Sequence, residues 1–221
     1  SDKNVKELSE FERLVLARDI ALGLVDIQRG GASAVSRNDN ANYTNIASLK
    51  KVAMVHNDLN PANVVTVDGG RLKFNDFNLV KFLDWNVTSK QSCGFAVSHE
   101  NPAWKAPEEI EDEVGVLMTP KVDIYGVCNI LFQILTSRGP YKWLEKGGRP
   151  SKEEVKRLKL DGIPPYIPSK YRKSPSGYAL DYVVRRCFRR DPKGRPSSTW
   201  IVKHLSKAIE TIREAEDPDK R

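Results

Sequence analysis

The stretch "VHNDLNPANVV", residues 55–65, carries a histidine, an aspartate and three asparagines between apolar ends, and runs on into "TVDGGRLKFNDFNLV". Asp58, Asn63 five residues later and Asp76 eighteen after Asp58 are the side chains whose types could do chemistry. Carboxylate and amide oxygens suit a hard divalent cation such as magnesium. A carboxylate within hydrogen-bond reach of a hydroxyl can orient it and accept its proton. Taken singly, each residue is ordinary turn chemistry at a strand end. Chemistry requires that the chain bring all three to one place.

The elements that must do so are legible from hydrophobic period. "EFERLVLARDIALGLVDIQRGG" has apolar residues at helical spacing (Phe11, Leu14, Val15, Ala21, Leu22, Val25) and stops at a glycine pair. Residues 30–50 are small and polar and predict a surface insert. "KVAMV", "NVVTV" and "RLKFN" read as short strands, the last two joined by "DGG". From Leu79 to Trp104 the period fades, which predicts an extended loop. Helices follow. "PKVDIYGVCNILFQILTS" is apolar nearly all round, as a central helix should be. "SKEEVKRLKLDG" opens with a serine cap and first-turn carboxylates. "YALDYVVRRCFRRD" and "STWIVKHLSKAIETIREAE" complete the set, and residues 217–221 read as a frayed tail. The expected architecture is mainly α (α+β), a helical bundle with a small β-sheet beside the Asp58 loop.

Composition narrows the class. The 221 residues are 39% hydrophobic and 29% charged, which describes a globular chain able to bury a core. No apolar run is long enough to cross a bilayer. The net charge of +7 is spread over the helices without arginine–aromatic interleaving, so no nucleic-acid partner is expected. Cys93, Cys128 and Cys187 are odd in number and widely spaced, which suits a reducing, intracellular and cytoplasmic setting, or the cytoplasmic face of a membrane.

"HNDLNPANVV" resembles the catalytic loop of the protein kinase superfamily, H-R-D-x-x-x-x-N. "NDFNLV" resembles the D-F-G segment, "APEE" the A-P-E element, "VDIYGVCNIL" the aspartate-led central helix, and "RDPKGRPSS" the closing Asp-Pro…Arg-Pro element. All five stand in family order and cover almost the whole chain. Kinases of the aminoglycoside and choline type share the first loop but lack the A-P-E element, the central-helix aspartate and its arginine partner.

The resemblance implies a protein-kinase-like C-lobe over residues 1–216, with residues 76–108 as activation segment. It implies ATP and Mg2+ as cofactors and a protein substrate. Asp58 would orient the attacking hydroxyl and accept its proton, and Asn63 and Asp76 would hold the metal. Val65 would lie beneath the adenine ring. His56 and Phe77 would stack in the hydrophobic spine. Asp123 would accept hydrogen bonds from the catalytic-loop backbone, and Glu108 and Arg195 would form a buried ion pair.

The pattern also departs from the family. Asn57 replaces the arginine beside the catalytic aspartate, which weakens any case for Thr88, Ser89, Ser92 or Ser98 as regulatory phosphosites. Asn60 stands where serine/threonine kinases have a lysine near the transferred phosphate. Asn78 replaces the D-F-G glycine, a tolerable change because asparagine accepts positive φ. Trp104 resembles tyrosine kinases, while Asn101 replaces the threonine of serine/threonine kinases. No glycine-rich loop or strand lysine precedes Asp58, so the chain is expected to be an N-lobe-less portion of a longer protein, inactive alone. An alternative is a pseudokinase lobe that binds scaffold partners without catalysis.

Overall fold

The computed structural model describes residues 8–30, 51–67, 71–96, 104–111 and 116–216. All but the first residue of the polar insert expected at residues 30–50 lies outside them, as do the tail at 217–221, Ser98 and Asn101.

Among the described residues six helices form the body: α1 (Glu10–Gln28), α2 (Pro107–Ile110), α3 (Lys121–Thr136), α4 (Lys152–Leu160), α5 (Pro175–Cys187) and α6 (Ser198–Glu216). Helix α1 starts at a capping box. Ser9 Oγ accepts from the Glu12 amide at 3.1 Å, and Glu12 Oε2 accepts from the Ser9 amide at 2.8 Å. It packs against α6, α3 and α5. Leu14, Ile20, Leu24 and Val25 meet Ile201, Leu205 and Ile209 in one core. Helix α3 is buried on nearly every side, from Val122 through Phe132, in keeping with its all-round apolar sequence. It ends at Ser137, whose amide closes on the Gln133 carbonyl at 2.7 Å before the chain turns off through a left-handed backbone (φ 57°). Cys128 of α3 and Cys187 of α5 are joined as a disulfide in this core, and Cys93 is free. Spacing along the chain carried no sign of that pairing.

Among the described residues the expected small β-structure beside the Asp58 loop consists of three two-stranded antiparallel sheets. Strands β2 (Val64–Val67) and β3 (Arg71–Phe74) form the hairpin read from "NVVTV" and "RLKFN". "KVAMV" contributes only β1 (Met54–Val55), which pairs with β4 (Lys81–Phe82). Strands β5 (Trp85–Asn86) and β6 (Gln91–Ser92) pair with each other. The last three strands fall where an extended loop was expected. Each is two residues long, too short for a period of two to show, and its pairing is supplied by the rest of the fold. Among the described residues no helix is long and apolar enough to cross a membrane.

Candidate active site

The Asp58 loop begins where β1 ends. Asn57 takes a left-handed backbone, φ 65°, a conformation asparagine adopts at low cost. Two successive amides then converge on one buried carboxylate. His56 N–H donates to Asp123 Oδ2 at 2.7 Å and Asn57 N–H to Asp123 Oδ1 at 2.9 Å. Asp123 sits in the first turn of α3, so the central helix carries the loop. Gly126, one turn on, lets the loop approach closely. A Cβ there would lie 2.9 Å from the Leu59 Cβ and 3.0 Å from the Leu59 carbonyl oxygen.

Beyond Asp58 the chain turns through a short 3-10 helix, Pro61–Asn63. Asn60 caps it, its Oδ1 accepting from the Ala62 amide at 2.9 Å and its Nδ2 donating to the Asp58 carbonyl at 3.2 Å. Asn63 is buried and donates through Nδ2 to the Asp58 carbonyl at 2.8 Å and to Asp58 Oδ2 at 3.0 Å. Its amide oxygen is left as the group a cation could use.

The hairpin brings Asp76 to the same end. Val64 faces Phe74 in register, and the Asn75 amide donates to the Asn63 carbonyl at 2.9 Å. Asp76 therefore leaves β3 beside the start of β2. It is exposed, at φ 59°, and its Oδ1 accepts from the Asn78 amide at 3.4 Å. The left-handed residue of this turn is Asp76, not Asn78. The glycine replacement at 78 thus meets no backbone demand for positive φ.

His56 binds the two halves together. Its fully buried ring lies 4.9 Å from the Phe77 ring, and its Nε2 pairs with the Asn75 carbonyl at 3.0 Å. Nδ1 accepts from the Asp58 amide at 3.4 Å, which assigns the proton to Nε2 and makes the ring neutral. Burial lowers its pKa below 6.5. The Asn75 carbonyl and the nearby carboxylates of Asp58 and Asp76 pull it back up. Both carboxylates thus lie within electrostatic reach of one imidazole.

Of the remaining expected positions, Glu108 and Arg195 meet as a bidentate pair. Arg195 Nη1 and Nη2 each lie 2.6 Å from a Glu108 oxygen. Arg195 also donates to the carbonyls of Lys121, Arg189 and Arg190. Val65 is half-buried on β2, opposite Lys73. Thr88 and Ser89 are exposed, and Ser92 Oγ donates to the Val52 carbonyl at 2.8 Å.

Three residues escaped the sequence reading. Lys105 is buried, and its Nζ donates to the Asn57 carbonyl at 2.7 Å while standing 3.8 Å from Asp58 Oδ1 and 3.5 Å from Glu109 Oε1. Lys159 of α4 reaches in to the Lys105 carbonyl at 2.6 Å, and Asn129 of α3 to the Trp104 carbonyl at 2.7 Å. In a chain with 36 lysines and arginines, nothing local marks a lysine as buried.

A mainly α body with this loop, hairpin and buried ion pair defines a protein-kinase-type domain. The family model described as protein kinase domain matches residues 43–205, and the chain belongs to that family. Among curated relatives, it is similar to the serine/threonine-protein kinase PkaA of Streptomyces coelicolor, 32% identical over 173 residues, 76% of this chain and 28% of that protein. It is also similar to human mitogen-activated protein kinase kinase kinase 7, 28% identical over 172 residues, 77% of this chain and 25% of that protein. A third relative is the dual specificity protein kinase pyk3 of Dictyostelium discoideum, 27% identical over 157 residues, 71% of this chain and 10% of that protein. The chain thus spans about a quarter or less of these relatives' own lengths.

Proposed function

We propose that the complete protein containing this chain transfers the γ-phosphoryl group of ATP to a protein hydroxyl, with Asp58, Asn63 and Asp76 as the reacting site. What supports this reading is that Asn63 hydrogen-bonds Asp58, and that the Asp58 and Asp76 carboxylates both act on the His56 ring.

Phosphoryl transfer passes through a loose, highly charged transition state, so the protein contributes position and electrostatics. Asp58 orients the attacking hydroxyl and accepts its proton through a carboxylate about one-third exposed. Asn63 fixes that carboxylate with one hydrogen on Oδ2 and keeps its amide oxygen for the metal. Among the described residues no group of three or more His, Cys, Asp or Glu side chains is arranged to hold a metal ion. One carboxylate, Asp76, plus one amide oxygen is the sparse set that fits Mg2+, which keeps waters and phosphate oxygens for its other positions. Held by Asp76 and the Asn63 amide oxygen, the ion would supply positive charge against the phosphate. Val65, half-buried on β2, offers an apolar surface for the adenine ring.

The test is phosphate incorporation by the complete protein from labelled Mg-ATP into casein and an arrayed peptide set. Turnover that falls at least about 100-fold in Asp58→Asn, with unchanged melting, is the expected result. Full turnover in that variant would sink the assignment.

A further inference from the structure

The reacting site proposed above lacks a basic side chain on its own loop. Position 60, where the resembled serine/threonine kinases have a lysine, is Asn60, and both ends of its amide are engaged with the loop backbone. The Asp58 carboxylate is nonetheless flanked on both sides. Oδ2 takes the Asn63 amide hydrogen at 3.0 Å, and Oδ1 faces Lys105 Nζ at 3.8 Å.

Lys105 arrives from a different part of the chain, immediately before α2, and its placement is built from several directions. Lys159 of α4 holds its carbonyl at 2.6 Å. Asn129 of α3 holds the preceding carbonyl, that of Trp104, at 2.7 Å. The Ala106 amide after it donates to Glu109 Oε2 at 2.6 Å. The ammonium is then anchored by the Asn57 carbonyl at 2.7 Å, one residue before Asp58, and balanced by Glu109 Oε1 at 3.5 Å. With its side chain only 10% exposed, the charge acts through little water. Such a fixed, desolvated cation is what electrostatic preorganisation requires.

We propose that Lys105 is the positioning residue of Asp58, a cation delivered by the segment before α2 in place of one at position 60. The proposal rests on the kinase reading. It makes the geometry of residues 104–109 a condition for a correctly held Asp58, so that movement of this segment withdraws the charge from the base.

The experiment compares the complete protein with Lys105→Met, Lys105→Arg, Asp58→Asn and the Lys105→Met/Asp58→Asn double variant. Lys105→Met should lower kcat about 10- to 100-fold while KM for ATP stays within about threefold, because the loss is confined to the reacting centre. Lys105→Arg should recover a substantial part of kcat. In thermal melts, the drop caused by Lys105→Met should shrink when Asp58 is already Asn, since the charge it serves is gone. An unchanged kcat, a loss confined to KM, or equal melting drops in both backgrounds would overturn the proposal. If the wild-type protein transfers no phosphate, the kinase reading fails, and the melting comparison alone decides whether Lys105 serves Asp58.

Discussion

Asp123 receives the amide hydrogen of His56 on one carboxylate oxygen and that of Asn57 on the other, at 2.7 and 2.9 Å. Both donors and the acceptor are buried. The backbone at His56 turns two consecutive N–H groups toward one carboxylate, and Asn57 then takes positive φ as the chain leaves for Asp58. A side chain on the central helix therefore sets the backbone of the loop that carries Asp58.

Asp123→Ala should strand two buried amides, at about 1–3 kcal/mol each. Equilibrium denaturation should show a large loss, and hydrogen exchange should accelerate at residues 56–57 before the helical core responds. Unchanged exchange at those amides would refute the arrangement.

Arg195→Lys should be nearly as damaging as Arg195→Ala. Arg195 is 2% exposed, binds Glu108 through two nitrogens and serves three further carbonyls. An ammonium cannot reproduce that fork. Removing one partner of such a pair costs about 3–5 kcal/mol, because the other charge stays buried. A lysine variant melting within a degree or two of wild type would contradict this.

Gly126→Ala reverses the usual helix preference. In a helix interior alanine is ordinarily more stable than glycine by about 0.5–1 kcal/mol. Here the added methyl would meet Leu59 at 2.9 and 3.0 Å, one contact being backbone. The expected outcome is a net loss of about 1–3 kcal/mol in denaturant melts. Because Leu59 follows Asp58, the phosphate transfer proposed for the complete protein should fall as well. A stabilised, fully active variant would show that α3 and the loop are not in such contact.

Lys159 gives the fold a pH signature. Burial lowers its ammonium from 10.5 to about 7, Arg195 pushes the same way, and Glu109 and Glu108 oppose it. Between about pH 7 and 10 the unfolded chain keeps this proton while the folded chain releases it. The unfolded state then binds more protons, so stability rises with pH across that window, by at most about 1.4 kcal/mol per unit. Lys159→Met should flatten that rise. Parallel curves for wild type and variant, measured by urea unfolding from pH 6.5 to 9.5, would count against it.

Much of this protein is written in short stretches of its sequence. The helices announce themselves by apolar spacing, because a surface helix must bury one stripe. "NVVTV" and "RLKFN" pair as a hairpin because two half-buried strands stand only three residues apart in sequence. Asp58, Asn63 and Asp76 could be singled out by residue type, spacing and the order of the motifs around them.

The three-dimensional fold decided the rest. Strands β4, β5 and β6 exist only through their partners, being too short to carry a pattern. The left-handed turn fell on Asp76 and not on Asn78, since the strand end and the His56–Asn75 contact fix that backbone. Cys128 met Cys187 because α3 and α5 pack together across 59 residues of chain. Lys105 turned inward because α3 and α4 hold the carbonyls around it. Local sequence specifies what a segment can become. Which charge a lysine neutralises depends on groups remote along the chain, and only packing brings those together.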